Sequence, residues 1–287
     1  MTDTTLTSPT AYAGILCTPL TPAIGAELSG VDLSAPLSDE AVAGIRQALL
    51  DWKVIFFRDQ YLDTDQHLAV ARRFGTPSIH PLVNHKPGYP EVLAISRNRD
   101  RKGMENLWHA DVTFLPNPAM GCLLYSHDVP TVGGDTLFAD MYAAYEGLSD
   151  EVKQTIEGKQ AIHDFRQHRV LMRKAGVSEE KIAGYEAQFP PRAHPVVRTH
   201  PETGRRLLNV NIGFTEYIVG MDRAESDALL QHLYAQASVP EYQVRFKWTK
   251  NCLTFWDNRA THHYAVSDYW PAVRTMERIA IDGDVPF

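Results

Sequence analysis

The stretch NLWHADVTF, residues 106–114, carries His109 and Asp111 two positions apart. On an extended chain residues i and i+2 face the same way, so an imidazole and a carboxylate would stand side by side while Ala110 turns away. Such a pair suits a metal ion. Towards the other end, WDNRATHHYAVSDYWPAVRTMERIAI supplies His262 and His263, then Arg274 and Arg278, four apart. If this segment is a strand, the two arginines share a face and project together. One histidine of the pair, added to His109 and Asp111, completes a two-histidine, one-carboxylate set, the ligand type of non-haem Fe(II) oxygenases. A guanidinium nearby suits a carboxylate cosubstrate, because its planar fork holds two oxygens at once.

Each piece has an ordinary alternative. An HxD triplet arises by chance in many proteins. Strand arginines are more often surface ion-pair material, and of two adjacent histidines one is commonly packed and the other exposed. The weight therefore falls on the elements that would bring these residues together.

LSDEAVAGIRQALLDW reads as a helix capped by Ser38, with acidic residues in its first turn and Val42, Ile45, Leu49 and Trp52 at helical spacing. Val54 to Phe57 follows as a short apolar run typical of a buried strand. A second helix is signalled by Thr64 as cap, Leu68, Ala71 and Phe74 on one face, and Gly75 as the stop. Two more are expected after Ser149 and over residues 222–237. In YQVRFKW, residues 242–248, apolar and polar residues alternate as in a sheet with one wet face, and CLTFWD follows at hairpin-like spacing. EVLAIS and GCLLYS are further strands, and AHPVVRTH and RRLLNVN are two more, joined by the turn PETG. Many short strands with peripheral helices favour a β-sandwich or barrel over a βαβ repeat. Residues 165–193 are charged and weakly periodic, the character of a lid or insertion.

A chain of 287 residues can bury a sizeable core within a single domain, 1–287. The net charge of −7, with no basic cluster beyond Arg72-Arg73 and Arg205-Arg206, argues against a nucleic-acid surface. No apolar run is long enough to span a membrane, and the polar start MTDTTLTSPTAYAG, expected to be mobile, lacks the features of a signal peptide. A cytoplasmic protein is expected. Cys17, Cys122 and Cys252 lie far apart and in no CxxC pattern, so neither a disulfide framework nor a zinc cluster is suggested.

GAELSGVDLSAPLSDE, VIFFRDQ, RRFG, WHADVTF, GGDT, WDNRATHHYA and IDGDVPF, taken in order, resemble the Fe(II)/2-oxoglutarate-dependent dioxygenases of the TauD/TfdA family over nearly the whole chain. The specificity lies in the spacing: GGDT about 25 residues after HxD, HH about 150 after it, Arg274 eleven beyond His263 and Arg278 four further. Carried over, the resemblance makes His109, Asp111 and His263 the metal ligands for Fe(II), the second histidine of the pair being the one that matches. Thr136 and Arg274 match the residues that hold the distal carboxylate of 2-oxoglutarate. Arg278, His80 and the backbone N–H of Val112 match those that grip the anionic head of the prime substrate. Val83 and Glu105 stand where taurine-selective members are polar, which points away from taurine itself.

The fold implied is mainly β with flanking helices, a double-stranded β-helix or jelly roll with the metal at its open mouth. Helices 38–52 and 222–237 are expected to brace one outer face, with 165–193 forming part of a lid. The implied reaction consumes O2 and 2-oxoglutarate and hydroxylates a small anionic substrate, an alkylsulfonate or alkyl sulfate ester, releasing sulfite or sulfate with succinate and CO2. An aryloxyalkanoate dioxygenase is the alternative, and a metal-binding protein without turnover a weaker one. A homo-oligomer, dimer or tetramer, is implied by resemblance alone.

Overall fold

The computed structural model describes residues 10–83, 85–100, 103 and 106–287. The polar start up to residue 9 and Glu105 lie outside the described residues.

An eight-stranded sheet runs in the order Thr10–Tyr12, Ile15–Pro19, Ala26–Ser29, Val54–Phe57, Leu253–Asp257, Gly121–Asp128, Arg274–Ile281 and Val92–Arg97. A three-stranded sheet, Gln243–Phe246, Thr136–Asp140 and Thr261–Ala265, faces it. An aromatic layer fills the space between them. Phe56 and Trp256 come from the large sheet, Phe138 and Phe246 from the small one. Phe56 stacks on Phe246 with ring centroids 3.9 Å apart, and Phe138 meets Trp256 at 5.6 Å. Two sheets closed on such a core make the expected jelly roll. Two further small sheets extend it: Thr215–Ile218, Gln160–His163 and Arg192–Pro195, and the hairpin Val197–Thr199 with Arg206–Leu208 across the PETG turn.

The helix Asp39–Trp52 forms for the reasons its sequence offers. Ser38 stays extended while its hydroxyl accepts from the Ala41 N–H, and Ile45, Ala48, Leu49 and Trp52 turn inward onto the large sheet. Each such aliphatic or aromatic side chain contributes about 1.5–3 kcal/mol by leaving water. Lys53 then closes the helix in a left-handed conformation, φ 63°, and the chain enters Val54–Phe57.

Three expectations need correction, and one segment is more regular than its periodicity suggests. The cap of the second helix, Thr64–Arg72, is Asp63, whose carboxylate takes the Gln66 N–H while the Gln66 side chain returns to the Asp63 N–H. Thr64 is already helical, and its hydroxyl is spent on Glu277. The strands around Val244 and Phe255 are not a hairpin. Leu253–Asp257 is buried on both faces and pairs with Val54–Phe57 and Gly121–Asp128, whereas Gln243–Phe246 joins the other sheet. The helices Asp39–Trp52 and Arg223–Ala235 do not brace one face. The first packs on the large sheet, and the second covers a separate cluster with Leu230 and Leu233. Finally, residues 165–193 hold two helices, Arg166–Lys174 and Glu179–Gln188, which the weak periodicity concealed.

Candidate active site

His109 is not part of a regular strand. It forms a single bridge with His263, their backbones exchanging N–H···O bonds of 3.1 and 2.8 Å, and the chain then turns sharply through Asp111–Phe114. Val112 sits at φ 50°, left-handed and strained for a β-branched residue. The turn is held by Asn258, whose amide oxygen accepts from the Asp111 N–H at 2.7 Å while its amide NH2 donates to the carbonyls of Asp111 and Ala119. Beyond it, Thr113 is buttressed by His163 and Asn211. The pairing of His109 with Asp111 therefore comes from a bridge followed by a clamped turn. The extended-strand geometry expected for the triplet is absent.

This arrangement brings together three donor atoms. His109 Nε2 lies 3.9 Å from Asp111 Oδ1 and His263 Nε2 lies 4.0 Å from Asp111 Oδ2. All three ligand atoms fall within 4.8 Å of one another, and His262 is not part of the group. Adjacent positions on a metal with bonds of about 2.1 Å stand roughly 3 Å apart, so the group needs only a slight contraction. The protonation states also suit a cation. Burial holds both imidazoles below their ordinary pKa, so they are neutral. His109 Nδ1 donates to the Leu107 carbonyl at 2.9 Å, which leaves the Nε2 lone pair facing the site. Burial alone would raise the Asp111 carboxyl, but the Arg278 guanidinium, helped by a hydrogen bond from Cys122, keeps the group ionised. The Cys122 thiol donates to Asp111 Oδ2 at 3.3 Å.

One cavity is shared by His109, His263, Thr136, Arg274 and Arg278. Arg274 and Arg278 both start from the strand Arg274–Ile281 and do share a face despite a register shift at Thr275/Met276. Arg274 is only 6% exposed, and among the described residues it has no carboxylate partner. Among the described residues its Nε is without a hydrogen bond, and its guanidinium lies 5.7 Å over the Trp248 ring. Trp248 in turn donates to Thr136 Oγ1 at 3.0 Å, which leaves the Thr136 hydroxyl proton free for another acceptor. A buried cation without an anion is costly unless a ligand supplies one. Arg278 donates to Asp111 Oδ1 at 2.7 Å.

His80 lies close enough to Arg278 and Asp111 to feel both charges. Burial, chiefly, brings its pKa down to about 3, with Arg278 adding to the effect. Its Nδ1 accepts from the Leu82 N–H at 3.2 Å, so the proton sits on Nε2, available to an anion. Val83 is 39% exposed. Residue patterns did not single out Asn258, Cys122 or His168. Asn258 lies inside the WDNRATHHYA motif, but nothing in its spacing marks it as a clamp. His168, on the helix Arg166–Lys174, stacks on Phe214 with centroids 5.5 Å apart and feels the charges of Arg278 and Asp111.

A jelly roll that carries a His–Asp–His donor set, with a buried arginine in the same cavity as its histidines, has the ligand type used by non-haem oxygenases. The chain belongs to the taurine catabolism dioxygenase TauD, TfdA family, whose model matches residues 17–280, and is thereby an oxidoreductase of the dioxygenase type. It is 35% identical over 271 residues to an alkylsulfatase of Acinetobacter baylyi, covering 93% of this chain and 84% of that one. It is 34% identical over 274 residues to an (S)-phenoxypropionate/alpha-ketoglutarate-dioxygenase of Sphingobium herbicidovorans, covering 93% and 94%. The crystal structure of a taurine dioxygenase from Burkholderia xenovorans superposes with a TM-score of 0.81 at 39% identity, covering 95% of this chain and 90% of the other. Among the described residues no helix is long and apolar enough to cross a membrane.

Proposed function

We propose that the protein is an Fe(II)- and 2-oxoglutarate-dependent dioxygenase of small anionic substrates, in the first place alkyl sulfate esters or alkylsulfonates. The observation that carries this reading is Arg274, a buried guanidinium without an anionic partner among the described residues, in one cavity with Thr136 and the two histidines of the His–Asp–His set.

His109, Asp111 and His263 would hold Fe(II): two neutral imidazoles and one ionised carboxylate leave half of an octahedral shell open. Arg274 and the Thr136 hydroxyl take the distal carboxylate of 2-oxoglutarate, the first through a charge-assisted fork, the second as a single donor. Arg278, His80 through Nε2–H, and the Val112 N–H grip the substrate by its charged end and so orient it. With both bound, the metal and 2-oxoglutarate supply the oxidation: O2 converts the 2-oxo acid to succinate and CO2 and hydroxylates one substrate carbon. A hydroxyl placed on a carbon that bears a sulfate-ester oxygen or a sulfonate collapses to the aldehyde with loss of sulfate or sulfite. The helices within 165–193 are read as a lid, anchored through Phe165 and Phe189 on Phe114 of the site turn.

An aryloxyalkanoate substrate is the second reading, supported by the (S)-phenoxypropionate relative. Its carboxylate suits the same grip, and collapse of its product releases a phenol.

The test is 2-oxoglutarate-dependent O2 consumption by the Fe(II)-loaded protein with taurine, longer alkylsulfonates, alkyl sulfates and aryloxyalkanoates, with His109→Ala as control. Coupled turnover with alkyl sulfates or sulfonates, abolished in the control, is expected. Turnover only with aryloxyalkanoates transfers the assignment to the second reading. Absence of 2-oxoglutarate consumption by protein shown to contain Fe(II) refutes both.

A further inference from the structure

Arg278 has two duties if the reading above holds, and the geometry bears on how they interact. One guanidinium nitrogen, Nη1, is committed to Asp111 Oδ1 at 2.7 Å. Arg278 Nε is buried and has no partner among the described residues. A guanidinium carries five N–H donors in one rigid plane, so a second oxyanion can bind the remaining ones without releasing the first. The side chains of Arg278 and Asp111 are 13% and 7% exposed, so water screens their pairing little. The neighbouring acid, Glu277, does not compete. Successive strand residues face opposite ways, and its carboxylate is engaged by Lys86 beside Thr64 and His127.

We infer that Arg278 is a shared clamp that holds the Asp111 carboxylate and the substrate's anionic group through one guanidinium, so that a metal dication and an anion bind with positive cooperativity. This rests on the proposed metal site. With no anion present, a metal that takes Asp111 must share it with a guanidinium and meet that positive charge at short range. An anion on the free N–H groups neutralises the charge and loosens the hold on Asp111 Oδ1. The carboxylate then gives more of its charge to the metal. Linkage makes the effect reciprocal, so bound metal tightens the anion by the same factor. The protein would thus take up its anionic substrate preferentially in the metal-loaded form.

The experiment is calorimetric titration of Co(II) into metal-free protein, with and without saturating inorganic sulfate at matched ionic strength. Mildly alkaline pH keeps Asp111 ionised even without its partner. Wild type, Arg278→Gln and Arg278→Lys are compared, with the thermal melt of each metal-free variant as the check on folding. Sulfate is expected to tighten Co(II) by about fivefold or more in wild type, within the usual range of coupling between sites. Arg278→Gln is expected to bind Co(II) more tightly than wild type in the absence of sulfate and to gain nothing from it. Arg278→Lys, which keeps the charge, should stay near the wild-type affinity without sulfate. A folded Arg278→Gln that binds Co(II) more weakly than wild type would overturn the inference, as would a wild-type affinity that sulfate leaves unchanged. Failure of the wild type to bind Co(II) at all would instead sink the metal-site reading itself.

Discussion

At the scale of single residues, the site is defined by what is left unsatisfied. Arg274 is buried without a carboxylate among the described residues, so in the absence of a ligand it should weaken the fold it belongs to. Arg274→Met is therefore expected to raise the melting temperature of the ligand-free protein, to lose the stabilisation that 2-oxoglutarate confers on wild type, and to raise the KM for 2-oxoglutarate at least about 30-fold, the roughly 2 kcal/mol or more carried by a charged hydrogen-bonded pair. An unchanged KM would remove Arg274 from the cosubstrate pocket. Asn258 acts differently, because its side chain hydrogen-bonds the backbone of the site turn and of Ala119 and no ligand atom. Asn258→Ala frees the Asp111 N–H and leaves Val112 strained without its clamp. Metal affinity measured by titration should fall about 10- to 100-fold, as for other groups that orient ligands from behind, with a much smaller loss in the melt.

At the scale of elements, the site hangs on the contact between the strands Gly121–Asp128 and Leu253–Asp257. A Cβ at Gly121 would stand 2.7 Å from the Trp256 carbonyl oxygen and 2.9 Å from the Phe255 ring, so the two strands can only approach because residue 121 lacks one. Cys122, within the first strand, and Asn258, directly after the second, both contact Asp111. Gly121→Ala is expected to destabilise the protein by about 1–3 kcal/mol through overpacking, read as a lower urea midpoint, and to weaken metal binding although the residue touches no ligand atom. Equal metal affinity in a destabilised variant would show that the site tolerates the shift. The capping box of Asp63 and Gln66 is a local matter by comparison, and Asp63→Ala should cost about 1 kcal/mol with the site intact.

At the scale of the whole molecule, burial keeps many histidines neutral. His67 is fully buried; Glu277 and the Leu123 backbone favour its charged form, and His127 and Lys86 oppose it. Burial outweighs all of these and lowers its pKa to about 3. The unfolded chain binds that proton below about pH 6.5, while the folded one refuses it until about pH 3. The contribution of His67 to stability should therefore be flat above about pH 6.5 and decline as the pH falls towards 3, with His80 and His262 adding in the same sense. Urea midpoints measured across this window should fall less steeply for His67→Leu than for wild type. A parallel slope would mean that His67 is protonated inside the fold.

Much of this was legible in the residues themselves. His109, Asp111, Arg274 and Arg278, with one of His262 and His263, stood out by type and spacing, because metal and carboxylate chemistry admits few side chains, whereas Thr136 and the choice of His263 came from the family resemblance. The first helix could be read from Ser38 and its apolar periodicity, since capping and amphipathicity are local. Other features had no local signature. Val112 takes a left-handed turn because Asn258, 146 positions away, clamps the backbone on either side of it. Leu253–Asp257 looked like half of a hairpin, yet lies between two distant strands because both of its faces must be buried. The helices within 165–193 have one fully buried side chain between them, Ile182, too few to set a period. Residue chemistry and short-range periodicity belong to the sequence alone. Strand partnership, the clamped turn and the pairing of Arg278 with Asp111 depend on contacts between segments far apart in the chain, and these exist only once the two sheets have closed on their aromatic core.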